Sequence, residues 1–245
     1  MKLLLISDIH ANFPALQAVI NHFDITFDLI LNGGDTLVYA PFPNQTIDWL
    51  RENQVLSILG NTDRHIITLL SGKTFRKPRK PEKRIMYGWT AAELNSHNRA
   101  WLLQQPLSRT IKLPAPFSSK GCPFTIGLYH GSPEDPDEYL FSNGPASRFL
   151  ELAQKSSHRI IVIGHSHSPF HRQTGAVHFI NPGSVGRMFD GNPTASCAVC
   201  DLSGNKITVQ HHRINYPVVK VTTELERLKF PSIYQEMYRT GRKLN

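Results

Sequence analysis

Cysteine is scarce in this chain. Cys122, Cys197 and Cys200 are the only three among 245 residues, too few for a disulfide framework. Long apolar runs are missing as well. Met1-Lys2 and the short run that follows, broken at Asp8, are too brief for a signal peptide or a bilayer span. These absences point to a reducing, cytoplasmic setting and to no membrane partner. No Gly-x-Gly-x-x-Gly turn follows the first apolar run, which excludes the dinucleotide fingerprint there. There is no internal repeat. The length suffices for a substantial core without disulfides or a structural metal, and residues 1–245 are read as one domain.

Acidic residues are outnumbered, 19 against 27 basic, for a net charge of +8. The excess is concentrated. Residues 73–84 hold seven basic side chains against the single acid Glu82. A solvated loop is the first reading of that segment. A patch attracting a polyanionic substrate or nucleic acid is the alternative.

What the chain does contain is a series of short strands that end in chemistry. Leu3 to Ile6 is unbroken and apolar, as suits a strand buried on both faces. It ends at Ser7, followed by Asp8, His10 and Asn12. Leu16, Val19, Ile20 and Phe23 have amphipathic helical spacing, with Asn12 as a suitable N-cap. Phe27 to Leu31 predicts a second strand, ending in Gly33-Gly34-Asp35. Pro43 to Asn53 predicts a helix and Val55 to Leu59 a third strand, ending in Gly60-Asn61-Thr62-Asp63. This strand–helix–strand order favours parallel pairing through a right-handed crossover.

Residues 64–106 read as a helical insertion. Arg64 to Leu70 is helical, Pro78 and Pro81 argue against regular structure in the basic run, and Thr90-Ala-Ala-Glu93 has the spacing of a capping box. Residues 107–113 are a strand or return segment, and 114–123 a loop. Phe124 to Tyr129 leads into His130-Gly131. A helix over 145–156 precedes the strand Arg159 to Ile163, which leads into Gly164-His165-Ser166-His167. Val177 to Ile180 precedes Asn181-Pro182-Gly183-Ser184. Ser203-Gly204-Asn205 signals a hairpin between 196–202 and 206–214, and 223–238 is helical.

In a parallel α/β sheet, strand ends of this kind converge on one edge. Imidazole, carboxylate and amide donors suit divalent Mn, Fe, Co, Ni or Zn. Asp8, His10, Asp35, Asn61, His130, His165 and His167 are too many for one ion. They are enough for two ions sharing a carboxylate.

The ordered set Asp8-x-His10, Gly34-Asp35, Gly60-Asn61-x-Asp63, His130 and Gly164-His165-x-His167 resembles the calcineurin-like metallophosphoesterases. Ser7 to Asn12 and Asn181 to Ser184 resemble the small bacterial and archaeal phosphodiesterase-type branch. The resemblance implies an α/β fold, a four-layer α/β/β/α sandwich of two mixed sheets flanked by helices. It implies one metal held by Asp8, His10 and His167, another by Asn61, His130 and His165, and Asp35 between them. Catalytic roles fall to Asp35, Asn61, Asp63 and His130, with a bridging hydroxide attacking phosphorus in line. The implied activity is phosphodiester or phosphomonoester hydrolysis of a small phosphate ester. A nuclease or dinucleotide-polyphosphate hydrolase is the alternative, using the basic segment to hold a polyanion. A binding scaffold on the same fold predicts eroded ligands, and all seven ligand positions are filled.

Other features carry bland readings. Cys197-x-x-Cys200 lacks a second pair for zinc and is read as strand cysteines. His211 and His212 point opposite ways on a strand. His171 and His178 are placed at the rim or surface, and Trp89 and Trp101 in packing. Asn12 is expected to cap a helix and Arg64 to pair with Asp63, with contact to phosphate as the alternative for each.

Many members of that family carry His where this chain has Thr62. A threonine hydroxyl has no pKa suited to protonating a leaving oxygen. Hydrolysis is therefore expected to be faster for aryl than for alkyl phosphodiesters. Steady-state rates on matched pairs check this, and equal rates would overturn it.

Overall fold

The computed structural model describes residues 1–74, 78–114, 117, 124–204 and 206–245. Cys122, Arg76, Lys77 and the hairpin residue Asn205 lie outside them. The opening apolar run is β1 (Lys2–Ile6), followed by α1 (Phe13–Asn21), β2 (Leu29–Asn32), α2 (Pro43–Glu52) and β3 (Leu56–Ser57). Three helices come next, α3 (Asn61–Leu70), α4 (Pro81–Glu93) and α5 (Ser96–Leu103). Then come β4 (Ser108–Lys112), β5 (Thr125–Tyr129), α6 (Ala146–Lys155), β6 (Ile160–Val162), β7 (Phe170–Thr174) and β8 (Val177–Asn181). The long hairpin β9 (Ala195–Ser203) and β10 (Lys206–Ile214) precedes α7 (Val218–Arg227) and α8 (Ser232–Thr240).

Two mixed five-stranded sheets result, ordered β10-β9-β1-β2-β3 and β4-β5-β6-β8-β7. In the first, β1, β2 and β3 are parallel, with Leu3 opposite Leu29 and Ile6 opposite Asn32. In the second, β5, β6 and β8 are parallel. Strand periodicity divides the first strand between two cores. Leu3 and Leu5 face the other sheet, where Ile126, Leu128, Ile160 and Val162 meet them. Leu4 and Ile6 face outward onto Ala15, Leu16 and Val19 of α1. On the far side, Ile161, Ile163 and Phe179 pack under Phe149 and Leu152 of α6. This is the expected α/β/β/α sandwich. Each fully buried Leu of β1 contributes about 1.5–3 kcal/mol.

A further apolar cluster joins the inserted helices to the last two, through Ile66, Met86, Tyr87, Leu102, Leu225 and Tyr234. Trp89 packs there against Phe230, ring centroids 5.0 Å apart. Four local expectations need correction. The basic run is not all loop, because Pro81 occupies the first turn of α4, where a missing N–H costs nothing. Thr90 and Glu93 accordingly lie in its last turn and do not start a helix. The final helical stretch is two helices broken before Pro231. The edge strand β7 buries only Phe170, and its otherwise polar sequence gave no strand signal.

The cysteines, His211 and His212 follow the bland readings, whereas His178 is buried and not at the surface. Cys197 and Cys200 are free and buried in different cores. His211 binds the Asn181 carbonyl through Nε2 at 2.8 Å, while His212 meets the Phe23 ring. His171 and His178 bond to each other at 2.9 Å.

The segment 182–187 fastens the two sheets together at the strand ends. The Val185 and Gly186 N–H groups donate to the Ser7 and Asp8 carbonyls. Asn12 caps α1 and donates its side-chain N–H to the Gly186 carbonyl. A Cβ on Gly186 would lie 1.8 Å from the Ile9 carbonyl oxygen. Gly186→Ala is therefore expected to cost about 1–3 kcal/mol or more. Chemical denaturation reads this as a lowered midpoint. An unchanged midpoint would mean that the segment yields freely.

Candidate metal centre

The parallel strands of both sheets end at one edge, and each end delivers a polar side chain. Asp8 and His10 follow β1, Asp35 follows β2, Asn61 opens α3, His130 follows β5, and His165 and His167 follow β6. The structure brings all seven together. The ligand atoms of Asp8, His10 and His167 lie within 4.8 Å of one another, as do those of Asp35, His130 and His165. Asn61 Oδ1 is 3.1 Å from His130 Nε2. Asp35 stands between the groups, Oδ2 at 3.8 Å from His10 Nε2 and Oδ1 at 3.5 Å from His130 Nε2.

Backbone carbonyls set the state of three imidazoles. Nδ1 of His10 faces the Leu37 carbonyl, Nδ1 of His130 that of Gly33, and Nδ1 of His167 that of Arg187. A carbonyl only accepts, so each Nδ1 carries the hydrogen and each Nε2 turns a lone pair inward. His10 Nε2 thus faces His167 Nε2 at 3.2 Å, and His167 Nε2 faces Asp8 Oδ1 at 3.2 Å. Asp8 Oδ1 is buried with no hydrogen-bond donor. Asn61 Oδ1 likewise points at acceptors, and turning the amide would let its N–H groups donate to His130 Nε2, His165 Nδ1 and Asp35 Oδ2. Lone pairs gathered in this way fit divalent cations, and the donor set suits borderline-to-hard ions.

The site is paid for in backbone strain. Asp8, His10, Asp35, His165 and His167 all have φ between +50° and +63°, each at a cost of about 1–3 kcal/mol. Gly60 permits a close approach, since a Cβ there would lie 2.2 Å from Asp35 Oδ1. Asp35 in turn accepts from the Thr62 N–H at 2.7 Å, at the positive end of α3.

The electrostatics follow burial. Burial and then the Asp8 charge push the Asp35 carboxyl up to about 7. Burial acts most strongly on Asp8 and raises it, but His167, His130 and His10 together outweigh burial and hold the carboxyl well below the usual range. Burial and then His130 lower His165 to about 4. Burial, then His167, hold His10 well below its ordinary value.

Asp63 sits apart from the lone-pair cluster. Its carboxylate accepts from the backbone N–H groups of Thr36, Leu37 and Gly60 at 3.0–3.1 Å. Arg64 does not pair with it and instead meets Asp137 and the Gly60 carbonyl, because Asp63 is turned inward to the backbone. The Thr62 hydroxyl donates to the Leu37 carbonyl at 3.1 Å.

Several neighbours had no distinguishing mark in the sequence. Tyr139 stacks on His165 with centroids 4.0 Å apart, and Phe189 on His167 at 4.4 Å. The Arg187 guanidinium lies 3.8 Å above the Tyr39 ring. These groups wall a cavity of about 890 Å³ that opens onto His10, Asp35, Asn61, His165 and His167.

Residues 1–205 match the profile of the calcineurin-like phosphoesterase superfamily domain. The chain belongs to this superfamily. An uncharacterized protein of Methanocaldococcus jannaschii is 28% identical over 260 residues, covering 97% of each chain. A metallophosphoesterase from Sphaerobacter thermophilus superposes with a TM-score of 0.78 at 25% identity, over 98% of this chain and 99% of that one. A hypothetical protein from Pyrococcus horikoshii shares the fold, with a TM-score of 0.83 at 17% identity over 99% of both chains. Among the described residues, no helix is long and apolar enough to cross a membrane.

Equilibrium dialysis of this calcineurin-like chain against Mn²⁺ is expected to retain about two ions and to raise its unfolding temperature. Affinity should weaken as pH falls below about 7, since a proton must then leave Asp35. One ion or none at saturation would overturn the paired reading.

Proposed function

We propose that this chain is a metal-dependent phosphoesterase acting on phosphodiesters or phosphomonoesters, with two divalent ions at the paired clusters. The convergence of inward lone pairs from both sheets carries this reading. Asp8, His10 and His167 are assigned to one ion, Asn61, His130 and His165 to the other, and Asp35 to both. When bound, such ions lower the pKa of the water between them and neutralise phosphoryl charge. Manganese is the first metal to test among Mn, Fe, Co, Ni and Zn, all of which this donor set accepts.

The residues of the chain perform the positioning. Asp35 directs one oxygen to each cluster and is held by the Thr62 N–H. Asn61 and His130 approach one another at 3.1 Å from opposite sheets, as two side chains holding the same ion would. Asp63 is a positioning residue, because its three backbone bonds tie the segment after Asp35 to the start of α3. The Thr62 hydroxyl is committed to a carbonyl and offers no proton to a departing oxygen. The reading also treats residues 1–245 as one domain, with 64–106 forming a wall of the cavity. The free thiols Cys197 and Cys200 suit a cytoplasmic setting.

Turnover of bis(p-nitrophenyl) phosphate with Mn²⁺, before and after chelation, tests the proposal. Asp35→Asn should lower kcat by more than about 100-fold, beyond the 10–100-fold typical of an outer-shell partner, with circular dichroism unchanged. Chelation-resistant activity or a fully active variant would overturn the proposal.

A further inference from the structure

The cavity over the metal centre has an excess of positive charge that one phosphodiester does not use. Arg79, Lys80, Lys83, Arg187 and Lys243 all line it, and Asp35 is the only acidic side chain among the described lining residues. None of the five forms an ion pair among the described residues, unlike Arg51, Arg64, Arg148, Lys155, Arg213 and Arg227.

Arg187 is the decisive member. It is only 8% exposed. Its guanidinium rests on Tyr39 at 3.8 Å and lies 5.2 Å from the Phe189 centroid. Its side-chain hydrogen-bond partner is the Met237 sulfur at 3.6 Å, a weak acceptor. A buried guanidinium with no carboxylate is costly, and its fork geometry matches phosphate oxygens. Tyr39 is held under it at φ +80°, beside the β-branched Val38 at +77°, conformations that persist only where the surroundings impose them. Lys83 and Lys243 crowd the same charge, and burial followed by repulsion from Arg187 lowers the pKa of both. Such crowding is relieved when an anion enters.

We propose that Arg187, Lys83 and Lys243 form a second anion subsite beside the metal centre, with Arg79 and Lys80 at its mouth. The subsite receives a further phosphate of the substrate, which makes the substrate class a small oligophosphate-bearing ester. This rests on the phosphoesterase reading for the neighbouring site. A cavity of about 890 Å³ suits a compact ligand. The burial of Arg187 among aromatic rings disfavours the backbone of a long nucleic acid.

Calorimetric titration of chelator-treated protein with inorganic tripolyphosphate tests the subsite without metal. Saturable binding at least tenfold tighter than that of inorganic phosphate is expected. Arg187→Gln should weaken it at least tenfold. If that variant does not fold, the partly exposed pair Lys83→Ala/Lys243→Ala decides by the same criterion. Lys206→Ala, on a distant edge strand, should change nothing. Binding no tighter than that of phosphate, or insensitive to these variants, would overturn the subsite while leaving aryl-diester hydrolysis standing. Tighter binding of a single-stranded oligonucleotide would also overturn it. Loss of metal-dependent hydrolysis in every preparation would instead remove the phosphoesterase reading and leave the binding result intact.

Discussion

Three hydrogen bonds from imidazole Nδ1 atoms to main-chain carbonyls underlie everything the site can do. Leu37, Gly33 and Arg187 supply the carbonyls for His10, His130 and His167. Each bond fixes a tautomer and an orientation at once. The consequence is a set of lone pairs facing lone pairs in a buried space, which is unfavourable alone and favourable around cations. The rest of the fold holds those carbonyls still.

It does so by joining two sheets at their strand ends. The His165 N–H donates to Asp8 Oδ2. The Ser184 hydroxyl donates to the Asp8 carbonyl. These bonds cross between the sheets, so neither half of the site is set by one sheet alone. Five of the seven ligand residues have left-handed backbone. Strain of that size persists because the apolar layers on both faces of β1 over-determine the positions around it.

The recurrence of Asp, His and Asn after short apolar runs was legible along the chain, because strand ends in an open α/β sheet have few other reasons to share that chemistry. The buried β1 strand was legible from its unbroken apolar run. Other features were not. Pro81 reads as a breaker or as a helix start depending on whether Met86 and Tyr87 find a core, and that core includes α7 and α8. The inward turn of Asp63 depends on free N–H groups at Thr36 and Leu37, about 27 residues away, and no local pattern reports them.

The order and spacing of the motifs by themselves determined the donor types and the resemblance to the family, since each motif is a local pairing of a strand with its turn, and the two-sheet plan followed only through that resemblance. Only the tertiary structure decided what surrounds the donors. Arg187 meets Tyr39 across a separation of 148 residues, and Lys243 reaches the same cavity from beyond the last helix. Such meetings depend on how layers stack and helices cross, a property of the whole packed core that no window of sequence contains.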